Sequence, residues 1–178
     1  MTAPTPVVPT TSVPPPAASG LGAVGPSAGR PGGPLAVRVV RLDPGLALPT
    51  YAREGDAGLD LVAREAVTLA PAGGRALVPT GLALELPVGW AALVLPRSGL
   101  AARHGVTCLN APGLIDSGYR DELRVVLVNH DPTAAYEVAR GDRIAQLVLT
   151  PVPTVVWVET VELSPSDRGT GGFGHSGY

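Results

Sequence analysis

Five polar islands interrupt a chain of 178 residues in which only 16% are charged, and these are where chemistry could be done. The first is "AREGDAGLDL" (52–61), where Asp56 and Asp60 flank small residues. Such carboxylates either close turns or, as a pair, hold a divalent ion through its water shell, the binding mode Mg²⁺ favours. The second is "PRSGLA" (96–101), in which Arg97, Ser98 and Gly99 end an apolar run and open a short helical stretch. Backbone amides at such a junction attract an anion, and an Arg adds a fork of donors. The bland alternative is a capped turn. The third, "NAPGLIDSGYRDE" (110–122), looks like a hairpin carrying an acid, an aromatic and an Arg. Asp116 is either a turn former or a general base. Beside Ile115 it is expected to be partly desolvated, which would raise its pKa. Tyr119 offers a flat face to a sugar or base, or packs at the core edge. In the fourth, "RGDRIAQLVL" (140–149), Gln146 breaks an apolar alternation, and a buried amide needs hydrogen-bond partners from backbone or ligand. The fifth is "RGTGGFGHSGY" (168–178). There Arg168 could pair with phosphate and Phe173 could stack on a base, while the glycines let backbone approach both.

Something must hold these islands in place, and the rest of the chain reads as strands. Short Val- and Leu-rich runs recur at 35–42, 66–70, 75–79, 82–86, 91–96, 123–129, 143–150 and 154–163, punctuated by Gly, Pro, Asp and Asn. That rhythm predicts a compact all-β domain. "SGLAARHG" (98–105) predicts one short helix with Ser98 as its N-cap. Turns are expected at 78–81 and 86–89. Residues 1–34 hold nine prolines and one charge, too little to build a core, so a disordered extension is expected. The domain boundaries follow as 1–34 extension, 35–163 folded domain and 164–178 flexible arm.

Composition excludes several partners. Net charge is −2, which gives no general attraction to nucleic acid or an anionic membrane. All 13 basic residues are Arg, read first as a sign of GC-rich coding, so a phosphate would be held by Arg, backbone amides and metal. Cys108 is the single cysteine, which rules out an intrachain disulfide and reads as a small buried apolar residue. No apolar run approaches the ~20 residues of a membrane span, and no secretory signal is expected. A reducing, cytoplasmic setting is expected.

The five islands, in this order, resemble the ordered motifs of the trimeric dUTPases (dUTP pyrophosphatases), over residues 35–178. The resemblance implies a jelly-roll-like (β-clip) barrel assembled as a homotrimer, with active sites shared between subunits and closed by the C-terminal arm. It implies Mg²⁺-dependent hydrolysis of dUTP to dUMP and pyrophosphate, which limits uracil entry into DNA and supplies dUMP for dTMP synthesis. Carried over by residue, Asp116 would activate the attacking water, and Tyr119 would pack under the deoxyribose and exclude UTP. Asn110 and the backbone of Gly113, Leu114 and Ile115 would read uracil. Arg97, Ser98, Gly99 and Gln146 would hold the phosphates, and Asp60 would meet the Mg²⁺ hydration shell. Arg168 would reach the γ-phosphate, Phe173 would cover uracil, and His175 and Ser176 would add arm contacts.

Two positions depart from the family pattern. Asp121 stands where Gly is usual, which matters if that residue has positive φ. Ser117 stands where Ala is frequent. The alternatives are dCTP deaminase (or a bifunctional deaminase/dUTPase) on the same fold, and a non-catalytic nucleotide-binding regulatory trimer. The deaminases typically carry Arg-Ser-Ser where this chain has Arg97-Ser98-Gly99, and they lack the Phe-containing arm. A zinc deaminase is excluded, because one Cys and three scattered His cannot supply its ligands.

Overall fold

The computed structural model describes residues 33–170. Its elements are β1 (Arg38–Arg41), β2 (Leu59–Val62), β3 (Val67–Leu69), β4 (Gly74–Pro79), β5 (Leu82–Glu85), β6 (Trp90–Pro96), α1 (Ser98–His104), β7 (Val106–Cys108), β8 (Gly113–Ile115), β9 (Arg124–Asn129), β10 (Tyr136–Val138) and β11 (Arg143–Pro151). Every pairing is antiparallel. A four-stranded sheet runs β2-β11-β6-β8, a three-stranded sheet runs β4-β9-β7, and β1-β5 and β10-β3 form two ribbons. No described helix is long and apolar enough to cross a membrane.

The reason for this architecture is alternation. Along β5 the side chains run buried, half-buried, buried, half-buried, and β9 turns Val125, Leu127, Val128 and Asn129 inward. Leu61, Leu69, Val78, Val106, Leu123, Leu127 and Ile144 meet in one core. Burying each such side chain contributes about 1.5–3 kcal/mol. Three polar side chains are buried with them, Thr80, Glu122 and Asn129; of these Asn129, fully buried, donates to the carbonyls of Leu69 (3.2 Å) and Ala134 (2.9 Å) and accepts from the Asp131 amide (2.9 Å). It ties β9 to β3 and to the following turn, and its satisfied bonds make its burial affordable.

Seven of the eight expected runs form strands. The eighth, 154–163, forms none and lies exposed from end to end. Four strands of three or four residues, β2, β7, β8 and β10, lie outside the expected runs. The helix falls where expected, but Ser98 is its first residue, not its cap. Arg97 occupies the cap position in extended conformation and makes no side-chain cap bond. The helix ends at Gly105, whose left-handed φ of 63° lets its amide bond back to Ala101 and Leu100. The expected disorder of the N-terminal extension falls outside the described residues for 1–32.

Candidate active site

The register of the four-stranded sheet gathers the second and fourth islands and half of the first. Asp60 on β2 sits opposite Gln146 on β11, and Ala145 sits opposite Pro96 at the end of β6. Arg97 therefore leaves β6 beside both. Its Nε donates to Asp60 Oδ1 (3.1 Å) and its Nη1 to the Arg143 carbonyl (3.3 Å), while Arg143 Nη1 donates to Asp60 Oδ2 (3.1 Å). One largely buried carboxylate thus orients two guanidiniums, and the cluster keeps one net positive charge at the sheet end. Gly58 makes room for it: a Cβ there would lie 3.2 Å from Gln146 Cβ and Nε2. Gly99 is half-buried and Ser98 exposed at the start of α1.

Asp56 takes no part in this cluster. It closes a local turn, accepting from the Arg53 amide at 2.9 Å, and is exposed. The Asp56–Asp60 carboxylate pair is therefore not assembled, because Asp60 belongs to the sheet and Asp56 to the loop before it.

The third island is a hairpin laid on the far side of β6. Gly113, Leu114 and Ile115 pair with Val94, Leu93 and Ala92. Gly113 is buried, and a Cβ there would lie 3.3 Å from both Asn110 Nδ2 and Val94 Cβ. Only glycine lets Asn110 fold over the strand while the strand lies close on β6. Leu114 points outward, and Asp116 begins a turn closed by the Tyr119 amide on its carbonyl (3.1 Å). Tyr119 keeps one face open, and its Oη donates to the Glu122 carbonyl at 2.8 Å. Arg120 Nη1 caps the same turn through the carbonyls of Ser117 (2.6 Å) and Tyr119 (2.8 Å).

One expectation is corrected here, and one departure from the family pattern is accounted for. Asp116 is exposed and not partly desolvated by Ile115, since Ile115 turns onto β6 while Asp116 leads away from it. Asp121 needs no glycine: among the described non-glycine residues only Ala72 has positive φ. Instead its carboxylate accepts from the Glu122 amide at 2.7 Å.

Asp116 and Arg97 do not meet within one chain. Ile115, next to Asp116, pairs with Ala92, five residues from Arg97 along β6. At ~3.4 Å per residue that places Ile115 about 17 Å along the strand from Arg97, with Asp116 one residue further still. Arg168 lies exposed in a turn closed by the Gly169 amide on the Ser166 carbonyl (2.9 Å). Phe173, His175 and Ser176 lie outside the described residues.

Sequence reasoning missed Arg143, Arg64 and Glu122. All three are charges in a charge-poor chain at the edges of apolar runs, which was the available signal. Cys108 is buried, and burial pushes its thiol up to about 11, which removes it as a nucleophile. Among the described residues no group of three or more His, Cys, Asp or Glu could hold a metal. That donor set fits Mg²⁺ only as an ion carried by substrate phosphates with most of its waters retained.

Comparison with known proteins converges on one family. The dUTPase family model matches residues 45–177. A deoxyuridine 5'-triphosphate nucleotidohydrolase of Thermobifida fusca is 57% identical over 145 residues, covering 82% of this chain and 80% of that protein. One of Gloeobacter violaceus is 58% identical over 146 residues, covering 82% and 99%. Among solved structures, a G164S mutant of the Staphylococcus bacteriophage 80alpha dUTPase with dUpNHpp superposes with a TM-score of 0.71 at 27% identity, covering 80% of this chain and 99% of that one. The described strands and single helix are thus those of a jelly-roll-like dUTPase fold, and the chain belongs to the dUTPase family.

Proposed function

We propose that the protein hydrolyses dUTP to dUMP and pyrophosphate at sites shared between the subunits of a homotrimer. The observation that carries the shared site is the separation along β6: Asp116 follows Ile115, which pairs with Ala92 toward the start of the strand, whereas Arg97 follows Pro96 at its end. A hairpin from one subunit facing the cluster of another brings the base, sugar and phosphate contacts onto one nucleotide. The exposed run at 154–163 supports the assembly. Val155, Val156, Trp157, Val158, Val161 and Leu163 all face solvent in the single chain, with Trp157 91% exposed. Monomeric proteins rarely leave such a patch open.

In this reading Asn110 and the backbone of Gly113, Leu114 and Ile115 take the uracil edge. A main-chain hairpin cannot rotate to suit cytosine, so a mismatched donor or acceptor stays unpaired at a cost of about 1–3 kcal/mol. Tyr119 lies under the deoxyribose and leaves no space for a 2′-hydroxyl. Arg97, Ser98, Gly99 and Gln146 hold the triphosphate chain. An Asp116 carboxylate oxygen aligns one water and takes its proton. The water oxygen bonds to the α-phosphorus, and the bond from that phosphorus to the bridging oxygen breaks, so pyrophosphate leaves with the electron pair. Positioning and charge neutralisation supply most of the acceleration. Mg²⁺ bound to the triphosphate would neutralise charge on the leaving pyrophosphate. Asp60, with a lone pair that Arg97 and Arg143 leave unused, would hold the hydrated ion through water. Arg168 reaches the γ-phosphate, Phe173 covers uracil, and His175 and Ser176 add phosphate contacts.

Residues 35–163 form the catalytic barrel, 164–178 the closing arm, and 1–34 an extension dispensable for turnover. The buried thiol of Cys108, the sole cysteine, suits a reducing cytoplasm. The test is a panel of dUTP, dTTP, dCTP and UTP with pyrophosphate and ammonia detection, with Mg²⁺ and with EDTA. Pyrophosphate from dUTP alone, lost in EDTA, is expected. Equal rates on all four would sink the reading, and ammonia from dCTP would restore the deaminase alternative.

A further inference from the structure

Glu122 is the one buried carboxylate in the described core, 6% exposed, and no role given so far uses its side chain. Its Oε1 accepts from Arg64 Nη1 at 3.0 Å and from the Gly81 amide at 2.8 Å. Its own backbone carbonyl accepts from Tyr119 Oη at 2.8 Å. The neighbouring Leu123 is fastened to the same turn. Its amide donates to Leu82 O (2.7 Å), and its carbonyl accepts from the Thr80 amide (3.1 Å) and Thr80 Oγ1 (2.7 Å). Arg64 is anchored in turn through its amide on the Pro79 carbonyl (2.8 Å). Gly81, at φ 74°, admits both partners: a Cβ there would lie 3.3 Å from Arg64 Cδ and 3.1 Å from Asp43 Cβ.

The chain of contacts runs in one direction. The Pro79–Thr80–Gly81 turn and Arg64 fix the Glu122 carboxylate, the carboxylate fixes the Glu122 backbone, and that backbone holds the phenol of Tyr119. An ion pair placed this deep contributes little net stability compared with apolar residues of the same size. Its effect is to allow one position for the exit of the hairpin. We propose that Glu122 and Arg64 are positioning residues that set the selectivity for the 2′-deoxy sugar by fixing the Tyr119 ring. The proposal rests on the reading of Tyr119 as the deoxyribose platform. A displacement of about 1 Å at a positioning contact can cost about 100-fold in rate, so a loosened Tyr119 is enough to admit a 2′-hydroxyl.

The experiment measures kcat/KM for dUTP and for UTP, by pyrophosphate release, with the full chain. Glu122→Ala is expected to lower the dUTP:UTP ratio about tenfold. Glu122→Gln keeps an oxygen for the Gly81 amide and should restore most of that ratio. Tyr119→Phe, which removes only the hydroxyl, should lower the ratio in the same direction. A change in thermal midpoint with an unchanged ratio in Glu122→Ala would leave only a structural role and overturn the proposal. If Glu122→Ala does not fold, Arg64→Met and Tyr119→Phe decide in its place, and an unchanged ratio in both overturns it equally. Tyr119→Ala separates the two layers. If it keeps full selectivity, the platform reading fails and takes this proposal with it. If it loses selectivity while Glu122→Ala does not, the platform stands and the positioning pair falls.

Discussion

The hairpin around 110–122 and the segment at 152–163 are similar in one respect: each hangs off a strand of the same sheet, the first beside β6 and the second after β11. They differ in where their contacts are made. The hairpin is fastened inside its own chain, through β8 on β6 and through Tyr119 and Glu122 at its exit. The segment leaves β11 at Pro151, makes one backbone bond from the Val152 amide to Gly89 (2.8 Å), and then exposes every apolar side chain it has. Residues chosen for a pleated, half-buried surface have no sheet to join in their own chain. The contrast teaches that the hairpin is held entirely within its own chain, whereas the segment leaves an apolar face with nothing in the same chain to cover it.

The comparison breaks first at its chemical end. Asp116→Asn keeps the hairpin bonds, which run through the Asp116 carbonyl, and should bind dUTP while losing roughly 10²–10⁴-fold in turnover. Persistent turnover would move the base elsewhere. Mixing Asp116→Asn with Arg97→Ala sharpens the same point. If sites are shared, mixed trimers contain some sites with an intact hairpin and an intact cluster, and activity returns above that of either variant alone. No recovery after subunit exchange would mean that each chain works alone. Truncation after Asp167 comes next, expected to leave the trimer folded and to reduce hydrolysis roughly 100-fold, because only the arm contacts are removed. Full activity in the truncated protein would make the Gly-rich end mere slack.

Legibility in the sequence follows the same division. Apolar runs of five or more residues announce strands because burial on one face imposes a period of two, and seven of them became strands. β2, β7, β8 and β10 escaped notice because three or four residues cannot show a period, and β2 and β8 lie inside polar islands. The run 154–163 has the composition of a strand, but periodicity does not say in which chain the partner lies. At the site, Arg97, Asp60 and Gln146 were legible as types, and their meeting is a matter of register that no local pattern encodes. Asp116 was expected to be partly buried beside Ile115. Its exposure shows that a neighbour in sequence covers a side chain only when it turns to the same face. Glu122 was passed over because its role depends on Arg64, 58 positions away.

At the assembly end, Trp157→Asp should weaken the trimer without touching the hairpin. Burying a side chain of this size contributes about 1.5–3 kcal/mol, and a buried unpaired charge reverses that sign. Sedimentation at micromolar protein should show dissociation, with activity falling in parallel. A fully assembled variant would show that 154–163 is not the covered face.

The smallest effect lies in the core that both regions share. Burial raises the Cys108 thiol from 9.0 to about 11. The folded state then holds a proton that the unfolded chain gives up between those two values, so stability is complete below about pH 9 and declines as pH rises toward 11. The loss is on the order of 1 kcal/mol at the upper end. The measurement is a difference, so that groups common to both chains cancel. Thermal midpoints of the natural chain and of Cys108→Ala are compared from pH 8 to 11, with Cys108→Ala less stable throughout the neutral range from its lost packing. The gap between them should narrow as pH rises, since only the natural chain has a thiol to deprotonate. A gap of constant width would place the thiol in water, contrary to its 3% exposure behind β9.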